Sequence, residues 1–471
     1  MPGPVTDREP DPVLTVSAMR AAEQALIDAG TDVHQLMQIA GRGAAEWVWR
    51  MAAGRSVTVL CGPGNNGGDG YVIAETLRAR GLDVRVVAPI EPKTEAAQRA
   101  RGGYVGDVAT DSEGISGHVF VDCLFGSGLC REISADLAAP LSRLAESHHY
   151  RIAIDLPSGV ESDRGALLGP EIDYHLTVAL GAWKRAHFLM PAASRMGALR
   201  LVDIGVDPSS ATAHRIARPR LSPPAADAHK YRRGLLAIVG GAMPGAALLS
   251  AQSAMHSGAG YVKLLSEHSH PGAPADLVLD SRTLTDALSD TRIDALLVGP
   301  GLGRDDSAAD RLGAAFGRDL PTVLDADGLA ILQPELLNRR TSPLILTPHE
   351  GELAVLEKAF GINGGGGKVE RACALAKATG AIVVAKGADT LVASPEGEIG
   401  FADRASSWLS TAGTGDVLAG IAASRLANGS GAFAAACEAV WFHAEAARQA
   451  GPAFTAMELA LNVKGAYAAT L

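Results

Sequence analysis

Residues 56–81 read SVTVLCGPGNNGGDGYVIAETLRARG, and the order of these residue types decides the fold. SVTVLCG (56–62) is a short β-rich apolar run without polar alternation, which predicts a strand buried on both faces. YVIAETLRARG (71–81) predicts a helix with a glycine stop. Strand, glycine loop and helix form the unit from which helix-covered parallel sheets are built. Working outward, similar runs recur at DVRVVAPI (83–90), HVFVDCLF (118–125), RIAIDLP (151–157), HLTVAL (175–180) and ALRLVDI (198–204). On the N-terminal side, Val16, Met19, Ala22 and Leu26, then Leu36, Ile39, Ala40, Ala44 and Trp47, predict helix from Val13 to about Ala53.

The alternation breaks at RIARPRLSPPAADA (215–228), which has prolines and no period. It restarts at LLAIVGG (235–241), YVKLLS (261–266), ALLVGPG (295–301), TVLDADG (322–328), PLILTP (343–348) and AIVVAKG (381–387), with a helix at 245–258 and a long helical region at 415–448. The expected organisation is a flexible tail at 1–12, one domain at 13–215, a linker at 216–228 and a second domain at 229–471. GINGGGG (361–367) reads as a flexible loop. The halves share no close register of motifs, so no internal duplication is inferred.

The 471 residues are 47% hydrophobic and 20% charged, which permits packed cores and excludes wholesale disorder. Glycine, 54 residues, exceeds the usual ~7%. Without a collagen period, that excess points to tight turns and close backbone–ligand contacts. A net charge of −10 argues against nucleic acid or an anionic membrane as partner. Cys61, Cys123, Cys130, Cys373 and Cys437 are scattered without zinc spacing, which suits a reducing compartment. MPGPVTDREPDP (1–12) has no apolar signal-peptide core, and no run approaches ~18 apolar residues, so a cytoplasmic, non-membrane protein is expected.

In the first half, Gly62, Gly64 and Gly67 satisfy GxGxxG, a weak signal alone. Asn65 and Asn66 place amide side chains in the loop, and Asp69 places a carboxylate where phosphate would be repelled. A glycine turn with asparagine in left-handed conformations accounts for the same letters. The other strand ends bring Asp122 before FGSGLCRE (125–132), then Asp155 and Ser158 in DLPSG, then Lys184 in GAWK. Strand-end aspartates are often helix caps. In a parallel sheet, however, strand C-termini share one rim where ligands bind. Asn66, Asp122, Asp155, Ser158 and Lys184 are therefore expected to converge.

GPGNNGGDG, DCLFGSG, DLPSGV and GAWK together resemble the NAD(P)H-hydrate epimerase domain, over about residues 13–215. The resemblance implies a Rossmann-like α/β/α sandwich that interconverts R and S epimers of NAD(P)HX, the hydrated form of NAD(P)H. It implies potassium ligands at Asn66, Asp122 and Ser158, a set of hard oxygens. It implies hydrate-binding segments at Asn65, Asn66, Gly67, Gly68 and Asp69, and at Gly126, Ser127, Gly128, Leu129, Cys130, Arg131 and Glu132, with Asp155. Epimerisation at a hydroxyl-bearing carbon needs an acid and a base, and Asp155 and Lys184 are the candidates.

In the second half, TAGTGDVLAGIAAS (411–424) puts Gly413 and Gly415 before an apolar helix, with Asp416 in its first turn. Open amides there make an anion hole, and Asp416 could take a hydroxyl proton beside it; a plain helix cap is the competing reading. Lys386 beside a glycine loop could meet a phosphate, or be only a solvated head. DAD (325–327) offers two carboxylates for a metal, or a strand-end turn. GTGD, GPGLG, TPHEGE, KGADT and GGAMPGAA together resemble the NAD(P)H-hydrate dehydratase family of ribokinase-like fold, over about 229–465. The resemblance implies adenine-nucleotide contacts at Lys386, Gly387, Ala388, Asp389, Thr390 and Gly415. It implies hydrate contacts at Ala246, Gly303, His349 and Asp416. HKYRRG (229–234) departs from the usual glycine after lysine, so Tyr231 is expected to alter the mouth of the site.

The expected whole is two doubly wound α/β domains forming a bifunctional repair enzyme. One half epimerises NADHX and NADPHX with potassium. The other dehydrates the S form by phosphoryl transfer from ADP, with magnesium, giving AMP and phosphate. The choice of ADP rests on the resemblance alone. A homo-oligomer is expected. Two competitors remain: a small-molecule kinase with an N-terminal nucleotide-binding regulatory domain, and a non-catalytic first half.

Overall fold

The computed structural model describes residues 11–207, 211–268 and 271–471. Most of the expected tail, 1–10, lies outside the described residues. The chain divides into two compact units, Met1–Arg215 and Ile216–Leu471.

The strands of the first unit are β1 (Val13–Leu14), β2 (Val57–Cys61), β3 (Val84–Val87), β4 (Val108–Ala109), β5 (Gly117–Cys123), β6 (His148–Ile154), β7 (Leu176–Leu180), β8 (Trp183–Lys184), β9 (Ala198–Val202) and β10 (Ala213–Arg215). A seven-stranded sheet has the order β4-β3-β2-β5-β6-β7-β9 and is parallel throughout. The central strands are apolar on both faces because helices cover both, as the uninterrupted β-rich runs require. Ile73 and Leu77 of helix Asn65–Ala79 are fully buried. Truncating either to alanine would cost about 2–5 kcal/mol.

The helical reading of 13–53 needs one correction. Val13 and Leu14 form β1, paired in parallel with β8, and two helices follow, Val16–Asp28 and Val33–Ala52. The Thr15 hydroxyl caps the first by accepting from the Ala18 amide, 3.2 Å away. A capping box of Asp32 and Gln35 opens the second, whose buried residues Leu36, Met37, Ala40, Ala44 and Val48 keep the helical period. Pro12, assigned to the tail, is ordered: its carbonyl accepts from the Trp183 amide at 3.2 Å.

The strands of the second unit are β11 (Leu235–Val239), β12 (Tyr261–Leu265), β13 (Val278–Asp280), β14 (Ala295–Val298), β15 (Thr322–Leu324), β16 (Leu344–Leu346), β17 (Ile382–Ala385), β18 (Leu391–Ala393) and β19 (Ile399–Phe401). They run in the order β13-β12-β11-β14-β15-β16-β17-β18-β19, parallel up to β17 and antiparallel beyond it. The hairpin β18–β19 escapes sequence reading because each strand is only 3 residues long. The long helical region is two helices, Thr414–Ala427 and Ala432–Ala450, interrupted at 428–431, and a further helix, Ala456–Ala468, follows it. Their alanines pack with helix Pro244–His256 and the apolar strand residues in one core.

The expected linker is not free at its start. The Ile216 amide donates to the Phe401 carbonyl at 2.8 Å, and the Leu221 amide to the Thr470 carbonyl at 3.0 Å. Among the described residues no helix is long and apolar enough to cross a membrane.

Candidate functional site

In the first unit the glycine loop is shorter than its letters suggest. The helix begins at Asn65, so Asn65–Asp69 are its opening turns. A Cβ at Gly62 would lie 1.8 Å from the Leu124 carbonyl oxygen, and one at Gly67 would lie 1.8 Å from that of Gly62. These glycines let the loop after β2, the loop after β5 and the helix start touch through backbone alone. A Cβ at Gly68 would lie 2.5 Å from the Met37 side-chain methyl. Gly67 and Gly68 therefore serve packing, and neither lines the cleft beside them.

That cleft encloses about 640 Å3 at the C-terminal ends of β2, β5, β6 and β7. Asn65, Asn66 and Asp69 line it from one side, and residues 126–131 line it from another. Asp155 and Lys184 complete its floor. Glu132 is exposed and outside the lining, and Asp122 and Ser158 lie outside it as well.

Asp155 sits at φ +66°, a costly conformation for a non-glycine residue. Its Oδ1 accepts from Lys184 Nζ at 2.5 Å and its Oδ2 from the Ser127 amide at 2.8 Å. Lys184 Nζ also donates to the Leu180 carbonyl at 2.6 Å. Burial pushes the Asp155 carboxyl up, but Lys184 and the Ser127 amide outweigh it and leave it below its ordinary value. Asp69 behaves oppositely. Burial holds it well above the usual carboxylate range, and the charges of Asp155 and Glu23 reinforce the shift. Asp69 has no hydrogen-bond partner among the described residues.

The Asn66 amide is also unsatisfied: its side-chain nitrogen and oxygen are buried without a partner. Asp122 is fully buried and held by four donors. They are the Leu124 amide at 3.1 Å, the Ser158 amide at 2.9 Å, the Ser158 hydroxyl at 2.6 Å and the Tyr174 hydroxyl at 2.5 Å. Burial pushes the Asp122 carboxyl up despite these donors, all of which are neutral.

Sequence reading missed His187. Its Nδ1 accepts from the Lys184 amide at 2.9 Å, and its Nε2 lies 2.9 Å from the Asp155 carbonyl. Burial, then the Lys184 charge, push the ring down to about 4, so a neutral imidazole clamps both backbones. The W-K-R-A-H spacing holds this signal, but only the short helix after Lys184 turns the ring back. Arg20, Glu23 and Lys93 also line the cleft without having been singled out.

In the second unit, four adjacent parallel strands, β14, β15, β16 and β17, end on one rim. Asp325 follows β15; its Oδ1 accepts from Lys386 Nζ at 2.7 Å and from the Thr347 hydroxyl at 2.7 Å. Glu352 lies 3.8 Å from the same ammonium. Burial works against the Lys386 charge, but Asp325 and Glu352 outweigh it and raise its pKa. Asp327 accepts from Arg304 Nε at 2.7 Å and from the Gly303 amide at 3.1 Å. Between the two aspartates Ala326 is strained at φ +49°. Among the described residues no group of three or more His, Cys, Asp or Glu could hold a metal ion.

Asp416 stands in the first turn of helix Thr414–Ala427, behind Gly413 at φ +90°. A Cβ at Gly415 would be 3.4 Å from Lys386 Nζ and 3.9 Å from Asp325 Oδ2, so this helix start faces the Lys386–Asp325 pair. Burial, then the Asp325 charge, push the Asp416 carboxyl up to about 6, with Lys386 opposing. Packing fixes the turn: Ser250 donates to the Asp416 carbonyl at 2.9 Å, and His443 Nε2 meets the Thr414 carbonyl at 2.9 Å.

His349 is exposed and caps helix Glu350–Ala359. Its Nδ1 accepts from the Gly351 amide at 2.9 Å and the Glu352 amide at 3.2 Å, and the His349 amide donates to Glu352 Oε2 at 2.9 Å. Ala246 lies in the first turns of helix Pro244–His256. The turn 386–390 closes on itself through the Gly387 amide and Thr390 hydroxyl, 3.1 Å apart, leaving Ala388 exposed at its tip. Asp389 is tethered by Lys368 Nζ at 2.5 Å, a contact no sequence motif announced. Tyr231 is a correction. Its hydroxyl accepts from Arg292 at 3.0 Å and its ring meets Tyr261, at the N-terminal end of β12. That is the sheet edge opposite the rim, so Tyr231 does not shape the mouth.

Each unit thus presents a helix N-terminus and a carboxylate–lysine pair on the C-terminal rim of a parallel sheet, the class of α/β enzyme that binds phosphorylated small molecules. Residues 236–464 match the family described as NAD(P)H-hydrate dehydratase, and residues 33–186 match that described as YjeF-related protein N-terminus. The bifunctional NAD(P)H-hydrate repair enzyme of Salinibacter ruber is 34% identical, over 93% of this chain and 92% of its own. That of Mycobacterium leprae is 35% identical, over 92% and 93%. The ADP/ATP-dependent NAD(P)H-hydrate dehydratase of Bacillus subtilis, crystallised with ATP and Mg2+, is 26% identical and covers 54% of this chain and 95% of its own, at a TM-score of 0.46. The chain belongs to the family of bifunctional NAD(P)H-hydrate repair enzymes.

Proposed function

We propose that the first unit interconverts the R and S epimers of NADHX and NADPHX, and that the second returns the S epimer to NAD(P)H at the expense of ADP. The observation that carries this reading is Asp416. It is a carboxylate with its pKa pushed up to about 6, in the first turn of a helix, facing a half-buried ammonium. Hydroxide is a poor leaving group and a phosphate ester a good one. In this reading Asp416 takes the proton of the substrate hydroxyl, whose oxygen attacks the β-phosphorus of ADP and releases AMP. Lys386 and the open helix amides hold the phosphoryl oxygens. Expulsion of phosphate, with loss of a ring proton, restores the nicotinamide. Hydrate and ADP thus give NAD(P)H, AMP and phosphate, and the atoms balance.

Nucleotide contacts are assigned to Lys386, Gly387, Ala388, Asp389, Thr390 and Gly415, and hydrate contacts to Ala246, Gly303, His349 and Asp416. Asp325 is engaged by Lys386 and Asp327 by Arg304, so a magnesium ion would be held chiefly by the nucleotide phosphates and water. No step is assigned to that ion.

In the first unit, Asn66, Asp122 and Ser158 suit potassium as a set of oxygens. The unsatisfied Asn66 oxygen and the buried Asp122 carboxylate, which has only neutral partners, are the observations that favour a cation there. A bound potassium would supply fixed positive charge, while Asp155 and Lys184 handle protons. Incubating mixed NADHX epimers with ADP or with ATP, and following absorbance of regenerated NADH, tests the whole reading. Consumption of both epimers with ADP is expected; formation of a stable phosphorylated product would replace dehydration with a kinase activity.

A further inference from the structure

Epimerisation by loss of water from one face of a ring and its return to the other is served by a proton-handling group near each face. Asp69, Asp155 and Lys184 all come from the sheet rim and the helix that follows β2. Another element also reaches the cleft: Val16, Met19, Arg20 and Glu23 line it from the first helix. Their spacing, i, i+3, i+4 and i+7, is one helix face. That helix is held against the floor by its own lead-in. Leu14 pairs in register with Lys184 itself, and the Val16 amide donates to Asp163 Oδ1 at 3.0 Å. The Met19 methyl packs where a Cβ on Gly181 would be, 2.4 Å away. Glu23 follows Met19 by one turn, half-buried, and its carboxyl has no hydrogen-bond partner among the described residues.

We propose that Glu23 is a second acid–base group of the epimerisation cleft, serving the face of the substrate ring turned away from Asp155 and Lys184. This rests on the epimerase reading above. In one direction, the Glu23 carboxyl gives its proton to the substrate hydroxyl and the C–O bond breaks, its electron pair leaving with water. The lone pair of the adjacent ring nitrogen stabilises the carbon. Water then adds to the other face, the new C–O bond forms, and the surplus proton passes to a carboxylate of the rim. Exchange with solvent returns that proton from the rim carboxylate to Glu23, which resets the site, so no net proton is used, and the reverse direction exchanges the two roles. The charged groups facing Glu23 are Arg20 on its own helix, and Asp69, Asp155 and Lys184 opposite. Burial raises its pKa, Lys184 opposes and Asp155 adds to the rise.

The test uses the full chain with purified R-NADHX, without nucleotide, following the S epimer by chromatography. Glu23→Gln is expected to slow epimerisation by about 10²-fold or more and to remove the fall in rate at high pH that a required acid produces. Glu23→Asp should restore part of the rate with a displaced profile. Dehydration of pure S-NADHX with ADP should be unchanged in both variants, and unchanged thermal unfolding excludes a folding defect. Epimerisation by Glu23→Gln at the wild-type rate and pH profile overturns the proposal. If that variant does not fold, a Glu23→Asp profile identical to wild type overturns it. Absence of epimerisation in the wild-type chain would instead overturn the reading of the cleft.

Discussion

Lys184 Nζ lies 2.5 Å from Asp155 Oδ1 in a site where the lysine side chain is only 1% exposed. The pair exists because the turn after β7 brings Lys184 back under the loop after β6. Neither charge has water to fall back on, so each depends on the other. Lys184→Met should strand the Asp155 carboxylate and destabilise the first unit by about 3–5 kcal/mol, while Lys184→Met combined with Asp155→Leu should recover much of that loss. Both should be inactive in epimerisation. Urea unfolding of the two variants checks the energies; equal stability of the single and double variants would show that the pair is not interdependent.

Asp155→Asn keeps the size but removes the charge, and its amide nitrogen must face either Lys184 Nζ or the Ser127 amide, both donors, so unfolding is measured alongside activity. A drop in epimerisation of about 10²-fold or more is expected if Asp155 handles a proton. Dehydration of pure S-NADHX by the same variant should match wild type.

Asp416→Asn should cost about 10²–10⁴-fold in dehydration turnover with little change in ADP affinity. Asparagine caps helices nearly as well as aspartate, so a mere cap would leave turnover intact. The pH dependence has a definite sign. With its carboxyl pushed up to about 6, wild-type turnover should rise as pH climbs through that value. Stability should move the other way. The folded chain holds this proton up to about 6, whereas the unfolded chain releases it near ~4, so stability from this group falls as pH rises between the two. Turnover and calorimetry from pH 4 to 8 on both proteins check the pair of trends.

Epimerisation should depend on potassium. Replacing it with tetramethylammonium should slow wild type, and Asn66→Leu should be slow in either salt, because the unsatisfied amide oxygen is gone. Equal wild-type rates in the two salts would remove the cation from the account.

Fragment 216–471 should melt higher than fragment 229–471. The longer one keeps the amide bonds from Ile216 to Phe401 and from Leu221 to Thr470, and buries Ile216 against Gly400. Equal melting temperatures would mean that residues 216–228 add nothing to the second unit.

The order of strands and helices was legible in the chain because strands buried on both faces must be apolar throughout, as VTVLC and LLAIV are. The rim positions followed, since a parallel sheet sends every strand's C-terminus to one edge. That logic brings Asp155 and Lys184 together from the sequence alone, but it does not reach Asp416, whose helix follows the antiparallel hairpin β18–β19. It does not say which glycine faces a ligand and which faces a neighbouring carbonyl. Gly67 and Gly68 look like Gly126 in the sequence, and only contact with the backbone of Gly62 and with Met37 separates them. Nor could a period of letters place Tyr231, whose side of the sheet depends on where a short lead-in enters. Charge states were further out of reach. Asp69, Asp122, Asp155 and Asp416 are the same residue type, and burial and near neighbours hold one below its ordinary value and three above it. The two-residue strand β1 shows the limit most sharply. Nothing in Val13–Leu14 predicts pairing with Trp183–Lys184, because the pairing is made by residues 170 positions away in sequence, and it is this pairing that sets Glu23 over the cleft.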